Sequence, residues 1–297
     1  MRSMSKVRTF VLLLMAALAV AACEQPIMGE AEASEDAEHS EANIILHLSQ
    51  FEQEDFGTRT AADIAQICSR INIAVFDSEG TKVKSVSQKQ SDSEYGTVAM
   101  TLASGTYQLV VIAHNGEGSA TITSTEVVSF ANNKVTDTFY YYGDLIVTDE
   151  PQEYDLTLTR AVAMFRLVLT DEEMPSNLTK MWFYYTGGSS TFSPATGYGA
   201  KQSRQTETRN VAEGVTTFEI YTMPHEENDV LNIIVRALDA NEDVIKERTF
   251  DNVPITRNQV SRYTGNFFGN GSKGSTSEGS LRMTADPEWD SVNSFSF

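Results

Sequence analysis

Three observations predict an all-β chain built as two antiparallel β-sandwiches in tandem. Apolar residues recur at every second position, turn residues punctuate those runs, and long helical stripes are missing. A length of 297 residues suits two bodies of roughly 100 to 150 residues each. The first strands alternate cleanly: Ile44, Leu46 and Leu48, then Ile71, Ile73 and Val75, then Val98, Met100 and Leu102. Such alternation buries one face and leaves the other to solvent.

Tyr107 to Ala113 and Ala161 to Leu169 are apolar on nearly both faces, which predicts the central core strands. Asp77-Ser78-Glu79-Gly80, Ser104-Gly105, Asn115-Gly116, Asn132-Asn133, Glu213-Gly214 and Asp239-Ala240-Asn241-Glu242 separate the runs as hairpin turns. Only Ala61 to Cys68 reads as helical, with Cys68 as a small buried side chain. Asp149-Glu150-Pro151-Gln152 interrupts the strand pattern and sets the expected boundary between a first sandwich at 43–149 and a second at 150–297. Tyr185 to Gly199 lacks periodicity and predicts a long surface loop. Gly265 to Ser280 holds five Gly and four Ser, a flexible linker before a final strand in Leu281–Phe297.

The formal charge is −19, with 22 Lys and Arg against 41 Asp and Glu. No basic cluster stands out against that background, which argues against a nucleic-acid partner. Arg2, Lys6 and Arg8 precede 13 uninterrupted apolar residues, Phe10 to Ala22, and Leu18-Ala19-Val20-Ala21-Ala22-Cys23 closes the run. This pattern predicts a lipoprotein signal peptide over residues 1–22, cut before Cys23. The thiol of Cys23 then takes a diacylglycerol, and its amine becomes available for acylation. Seven acids and no Lys or Arg occupy Glu24 to Glu41, so residues 23–42 read as a solvated, acidic tether. Its charge also resembles a surface-export signal of Bacteroidales lipoproteins. Composition leaves tether and signal equally open.

Reactive chemistry is not visible in the sequence. His39, His47, His114 and His225 lack metal-ligand spacing. Asp239, Asn241 and Asp243 imitate a calcium loop, but Val244 stands where Gly is needed and Phe250 where Glu is needed. Neither a Gly-x-Ser-x-Gly elbow nor a phosphate-binding Gly loop occurs, so no catalytic residue, metal or cofactor is expected. Two aromatic runs, Phe139–Tyr142 and Met181–Tyr185, place at most half of their rings on one strand face. Exposed rings among Trp182, Tyr184 and Tyr140–Tyr142 would provide a glycan platform. Core packing and strand pairing are the alternative.

Several segments resemble the Mfa/FimB-type fimbrial anchor and adhesion lipoproteins of Bacteroidales, which serve type V fimbriae. The similarity is carried by Ile71-Asn72-Ile73-Ala74-Val75-Phe76-Asp77-Ser78-Glu79-Gly80, by Gly105 to Asn115 with its Gly-x-Tyr strand, and by Leu156-Thr157-Leu158-Thr159-Arg160. The resemblance implies two transthyretin-like sandwiches, fimbrial subunits as partners, the outer membrane as location, and either an anchor or an accessory role. It also implies Arg59 as a processing site where stalk subunits of the family are cut, whereas an anchor keeps the strand before it. Strand addition between subunits gives two candidate donor or self-filling segments. One is Asn43–Leu48, and the other is Leu281–Phe297 with Leu281, Trp289, Phe295 and Phe297.

Overall fold

The computed structural model describes residues 42–51, 60–61, 64–269 and 291–297. Among the described residues the strands up to Arg160 are β1 (Ile44–Phe51), β2 (Thr60–Ala61), β3 (Arg70–Phe76), β4 (Lys82–Lys89), β5 (Thr97–Met100), β6 (Gly105–His114), β7 (Thr121–Ser124), β8 (Val127–Ser129), β9 (Thr138–Val147) and β10 (Gln152–Arg160), ten in all. Those after Arg160 are β11 (Ala163–Leu169), β12 (Lys180–Ser189), β13 (Thr191–Ser193), β14 (Tyr198–Gly199), β15 (Gln202–Asn210), β16 (Thr217–Thr222), β17 (Asp229–Leu238), β18 (Val244–Ile255), β19 (Gln259–Gly265) and β20 (Ser291–Ser296). The helical reading of 61–68 survives as one turn at Ile64–Ile67, which buries Ile64 and leads to the fully buried Cys68.

The chain is all-β, and its sheets pack as two sandwiches. In the first, β1 lies between β10 on one side and β5 then β2 on the other. The facing layer runs β9-β6-β3-β4. Strand β10 serves both layers, since Gln152–Leu158 pair with β1 and Thr159–Arg160 pair with β9. It therefore belongs to the first sandwich although it follows the Asp149–Gln152 interruption. Ile44, Leu46 and Leu48 meet Ile71, Ile73, Val75, Leu109 and Val111 between the layers. The second sandwich faces β16-β11-β19-β20 against β15-β12-β17-β18, around Phe165, Leu167, Phe183, Ile233 and Val235.

A third apolar cluster explains the strands that are apolar on both faces. Leu109, Val111 and Ala113 point into the first core, whereas Val110 and Ile112 point outward, beneath Phe130, Phe192 and Met223. Strand β11 behaves alike: Phe165 and Leu167 enter the second core, and Met164 joins the shared cluster with Ala161 and Val162. Each fully buried Val or Ile contributes about 1.5 to 3 kcal/mol, so this junction is a hydrophobic core in its own right. A small sheet, β14-β13-β8-β7, is stitched across it through Phe192 opposite Val128.

Two sequence expectations need correction. Tyr185 to Gly199 is not a long loop, because β12 runs on to Ser189 and β13 and β14 follow. Its alternation is hidden because the buried positions are small and polar: Ser189, Ser190 and Ser193 are all buried. Gly187 supplies a φ of +116°, and its neighbour Gly188 leaves room for Thr222, whose Oγ1 would stand 1.9 Å from a Cβ there. The Gly/Ser stretch also starts pinned. Asp171 accepts hydrogen bonds from the N–H groups of Phe267 (2.7 Å) and Phe268 (2.9 Å), and Phe267 is buried. The remainder of that stretch, from 270, lies outside the described residues.

Candidate functional site

Of the residues singled out for function, Cys23, Arg59, Leu281 and Trp289 lie outside the described residues. Phe295 lies in β20, and Phe297 directly follows its end. This strand pairs in parallel with β19, with Val260 opposite Val292 and Tyr263 opposite Phe295. Phe295 stacks on Tyr263 with centroids 4.7 Å apart, and Phe297 meets Phe250 edge-on at 5.1 Å. The Arg248 guanidinium lies 5.5 Å from the Phe297 ring centre. Among the described residues β19 is the only ladder partner of β20.

Strand β1 is placed differently. Ile44–His47 pair with β5 on one side and with β10 on the other, and Gln50–Phe51 pair with β2 and β10. Asn43 extends the hold: its Oδ1 accepts from the Leu102 N–H (3.0 Å), and its Nδ2 donates to the Leu102 carbonyl (2.8 Å).

Arg160, the last residue of the Leu-x-Arg segment, is a junction clamp. Its guanidinium grips Asp137 through two hydrogen bonds, Nε to Oδ1 at 2.8 Å and Nη2 to Oδ2 at 3.0 Å. A third goes to Asn258 Oδ1 at 2.9 Å, in the turn between β18 and β19. The same group lies 4.7 Å over the Phe139 ring. A planar fork suits this task because it satisfies a carboxylate bidentately while a further N–H reaches the other half of the chain. Arg257 adds a second tie, donating to Tyr140 Oη (2.9 Å) and to the Gly197 carbonyl (3.2 Å).

The Tyr140–Tyr142 run is half-buried and packs on both sides of β9. Tyr140 and Tyr142 pack on the junction cluster, and Tyr141 packs on the first core. Trp182 and Tyr184 do face outward from β12, partly exposed, with rings stacked at 6.1 Å and 10°.

The titratable groups perform structural work. His114 is 1% exposed; its Nδ1 accepts from the Gly116 N–H (3.0 Å), so Nε2 carries the proton donated to Asn72 Oδ1 (3.2 Å). Burial, aided by the Arg70 charge, lowers its pKa to about 4. Burial, and secondarily the charge of Asp137, pushes the Cys68 thiol far up, away from thiolate chemistry. The phenols of Tyr185 and Tyr221 are likewise raised, first by burial. Among the described residues no group of three or more His, Cys, Asp or Glu is placed to hold a metal ion.

Sequence reasoning met Arg160 only as the end of the Leu-x-Arg segment, assigned it no role, and missed Asp137 and Asn258, which carry no local signal. The outcome is a tandem-sandwich protein whose distinctive features are strand edges, a clamped junction and an aromatic outer face. The family model of fimbrillin-A associated anchor proteins Mfa1 and Mfa2 matches residues 36–295, and the chain belongs to that family. It is a family of fimbrial structural proteins associated with the cell surface.

Solved structures with a similar arrangement include a candidate adhesin from Bacteroides ovatus, at 15% identity and a TM-score of 0.49, covering 71% of this chain and 76% of that one. The fimbrial anchor protein Mfa2 from Porphyromonas gingivalis matches at 10% identity and a TM-score of 0.39, covering 69% and 80%. The tip fimbrial protein Mfa3 from the same organism, with a C-terminal truncation, matches at 12% and 0.35, covering 70% and 81%. No curated protein sequence matches.

Proposed function

We propose that this chain is a non-enzymatic, lipid-anchored fimbrial subunit of the outer membrane that joins partner subunits by β-strand addition. Cys23 carries the lipid, residues 23–42 form an acidic leash, and two transthyretin-like bodies meeting in the 150–162 stretch do the binding. The family assignment supports the fimbrial role. The observation that carries the strand-addition reading is that β20, among the described residues, has a single ladder partner and ends its sheet. A backbone edge of this kind offers N–H and C=O groups to a neighbour, and a strand held on one side is the cheaper one to exchange. Strand β1 is enclosed on both sides, which favours retention of Arg59 uncut in the manner of an anchor.

Deleting Leu281–Phe297 is expected to leave a folded, membrane-bound protein that no longer enters filaments; unchanged filament assembly would remove the donor role. Cys23→Ala is expected to move the protein out of the membrane fraction, and its retention there would refute the lipid anchor. Intact mass of the mature chain should begin at Cys23 and include Arg59 with the residues before it.

A further inference from the structure

Outward-facing residues of β12 lead into a feature that the fimbrial role does not use. Met181, Phe183 and Tyr185 enter the second core, so Trp182, Tyr184 and Thr186 face away from it. The ladder places Thr208 and Arg236 beside Trp182, Thr206 and Ile234 beside Tyr184, and Arg204 and Asn232 beside Thr186. Trp182 is already engaged. The Arg236 guanidinium lies 4.9 Å from its ring centre, held there by Glu247 at 2.6 Å, and Tyr184 stacks on it. Tyr184 is thus a ring braced by Trp182 and followed along the strand by Thr186.

Thr186 is at the lip of an open depression of about 430 Å³ that is also lined by Gln202, Arg204, Asp229 and Asn232. Arg204 is exposed, and its guanidinium has no partner among the described residues. Asn232 spends its Oδ1 on the Asn252 N–H (3.0 Å), which leaves its NH₂ group to donate. The Asp229 carboxylate takes the N–H groups of His225 (2.9 Å) and Val230 (2.7 Å) and keeps accepting capacity on each oxygen.

We infer that this depression, together with Tyr184 two residues before Thr186 on the same face of β12, is a binding site for a neutral saccharide. A sugar ring presents hydroxyls that both donate and accept, and the lining supplies donors from Arg204 and Asn232 beside acceptors on Asp229 and Thr186. Its apolar C–H face suits an aromatic ring held rigid from behind. Charge narrows the class: one guanidinium and one carboxylate line the same hollow, so an anion meets no net charge there. The depression is open and shallow, unlike the enclosed apolar pockets that take lipid-like or drug-like molecules. Shallow, hydrated sites of this kind bind single oligosaccharides weakly, with Kd on the order of 0.1 to 1 mM.

The test uses the whole mature chain on an array of neutral and uronate-bearing oligosaccharides, with hits titrated by NMR. Binding of a neutral oligosaccharide is expected, weakened at least tenfold by Tyr184→Ala and by Asn232→Ala and retained by Tyr184→Phe. Asn232→Ala and Arg204→Met sit on exposed positions, so they report on the site even where the Tyr184→Ala protein folds poorly. Absence of any neutral ligand overturns the inference. So does preference for uronates alone, or binding that Asn232→Ala and Arg204→Met leave unchanged. Deleting Leu281–Phe297 should leave saccharide binding intact, which separates this site from the strand-addition role.

Discussion

Strands β1 and β20 open and close the described body, yet they are held very differently. Strand β1 buries Ile44, Leu46, Leu48 and Phe51 and has ladder partners along both edges. At about 1.5 to 3 kcal/mol per side chain, those four residues supply roughly 6 to 12 kcal/mol as an upper bound, comparable with the stability of a whole domain. From Val292 to Phe297 the chain buries Val292 alone, and Tyr263, Phe250 and Arg248 hold the Phe295 and Phe297 rings. The first strand is therefore part of the fold's foundation, and the last is an attachment to a finished sheet. A subunit that exchanges one strand without unfolding has only the second available.

The largest test of that contrast is in β1. Leu46→Ala empties a fully buried site between two strands and should cost about 2 to 5 kcal/mol, read as a drop in the denaturant midpoint. A loss under 1 kcal/mol would mean that β1 is as dispensable as β20. Arg160→Ala comes next, because it strips Asp137 and Asn258 of their shared partner at the junction. We expect about 2 to 4 kcal/mol, below the range for fully buried pairs because Asp137 keeps some contact with solvent. If the junction makes the two sandwiches unfold together, this variant should split one transition into two, with the first sandwich melting apart from the second.

Acid should weaken the first sandwich selectively. His114 titrates near 6.5 when unfolded and near 4 when folded, so the unfolded chain binds the proton first as pH falls. The contribution is fully present above pH 6.5, declines between 6.5 and 4, and totals roughly 3 kcal/mol over that window. Protonating Nδ1 would also displace the Gly116 N–H. The difference in stability between the parent and His114→Gln should shrink by that amount from pH 7 to pH 4. A constant difference would show that the imidazole takes up its proton equally in the folded and unfolded states, so that burial does not depress its pKa.

How much of this could be seen in the chain alone follows from what each feature depends on. The doubled apolar faces of Val110, Ile112 and Met164 were visible as runs, because burial on two sides requires apolar residues on two sides. What covers them was not, since Phe192 and Met223 arrive from distant segments with no pattern that points to β6. Arg160 stood out in its Leu-x-Arg setting, but its partners are 23 and 98 residues away. Strands β13 and β14 escaped notice because they are only three and two residues long and the buried Ser189, Ser190 and Ser193 around them are polar, whereas period-two reading depends on runs of apolar side chains. The outward placement of Trp182 and Tyr184 followed from alternation. The Arg236 guanidinium over Trp182 did not, as cross-strand register is set by the whole sheet.

The smallest expected effect is the most informative about exchange. Val292→Ala removes two methyl groups at a buried position of β20 and should cost about 1 to 2 kcal/mol. Where that cost appears matters more than its size. If β20 detaches while β11, β16 and β19 stay paired, the global unfolding midpoint should barely move, and amide exchange in 291–296 should accelerate roughly five- to thirtyfold, with the β1 amides unaffected. If β20 leaves only when the second sandwich unfolds, the midpoint should fall by the full amount and exchange should accelerate across β19 and β20 together. The first pattern describes a strand that can be offered to a neighbour at modest cost; the second would make β20 as integral as β1 and deny the chain its donor.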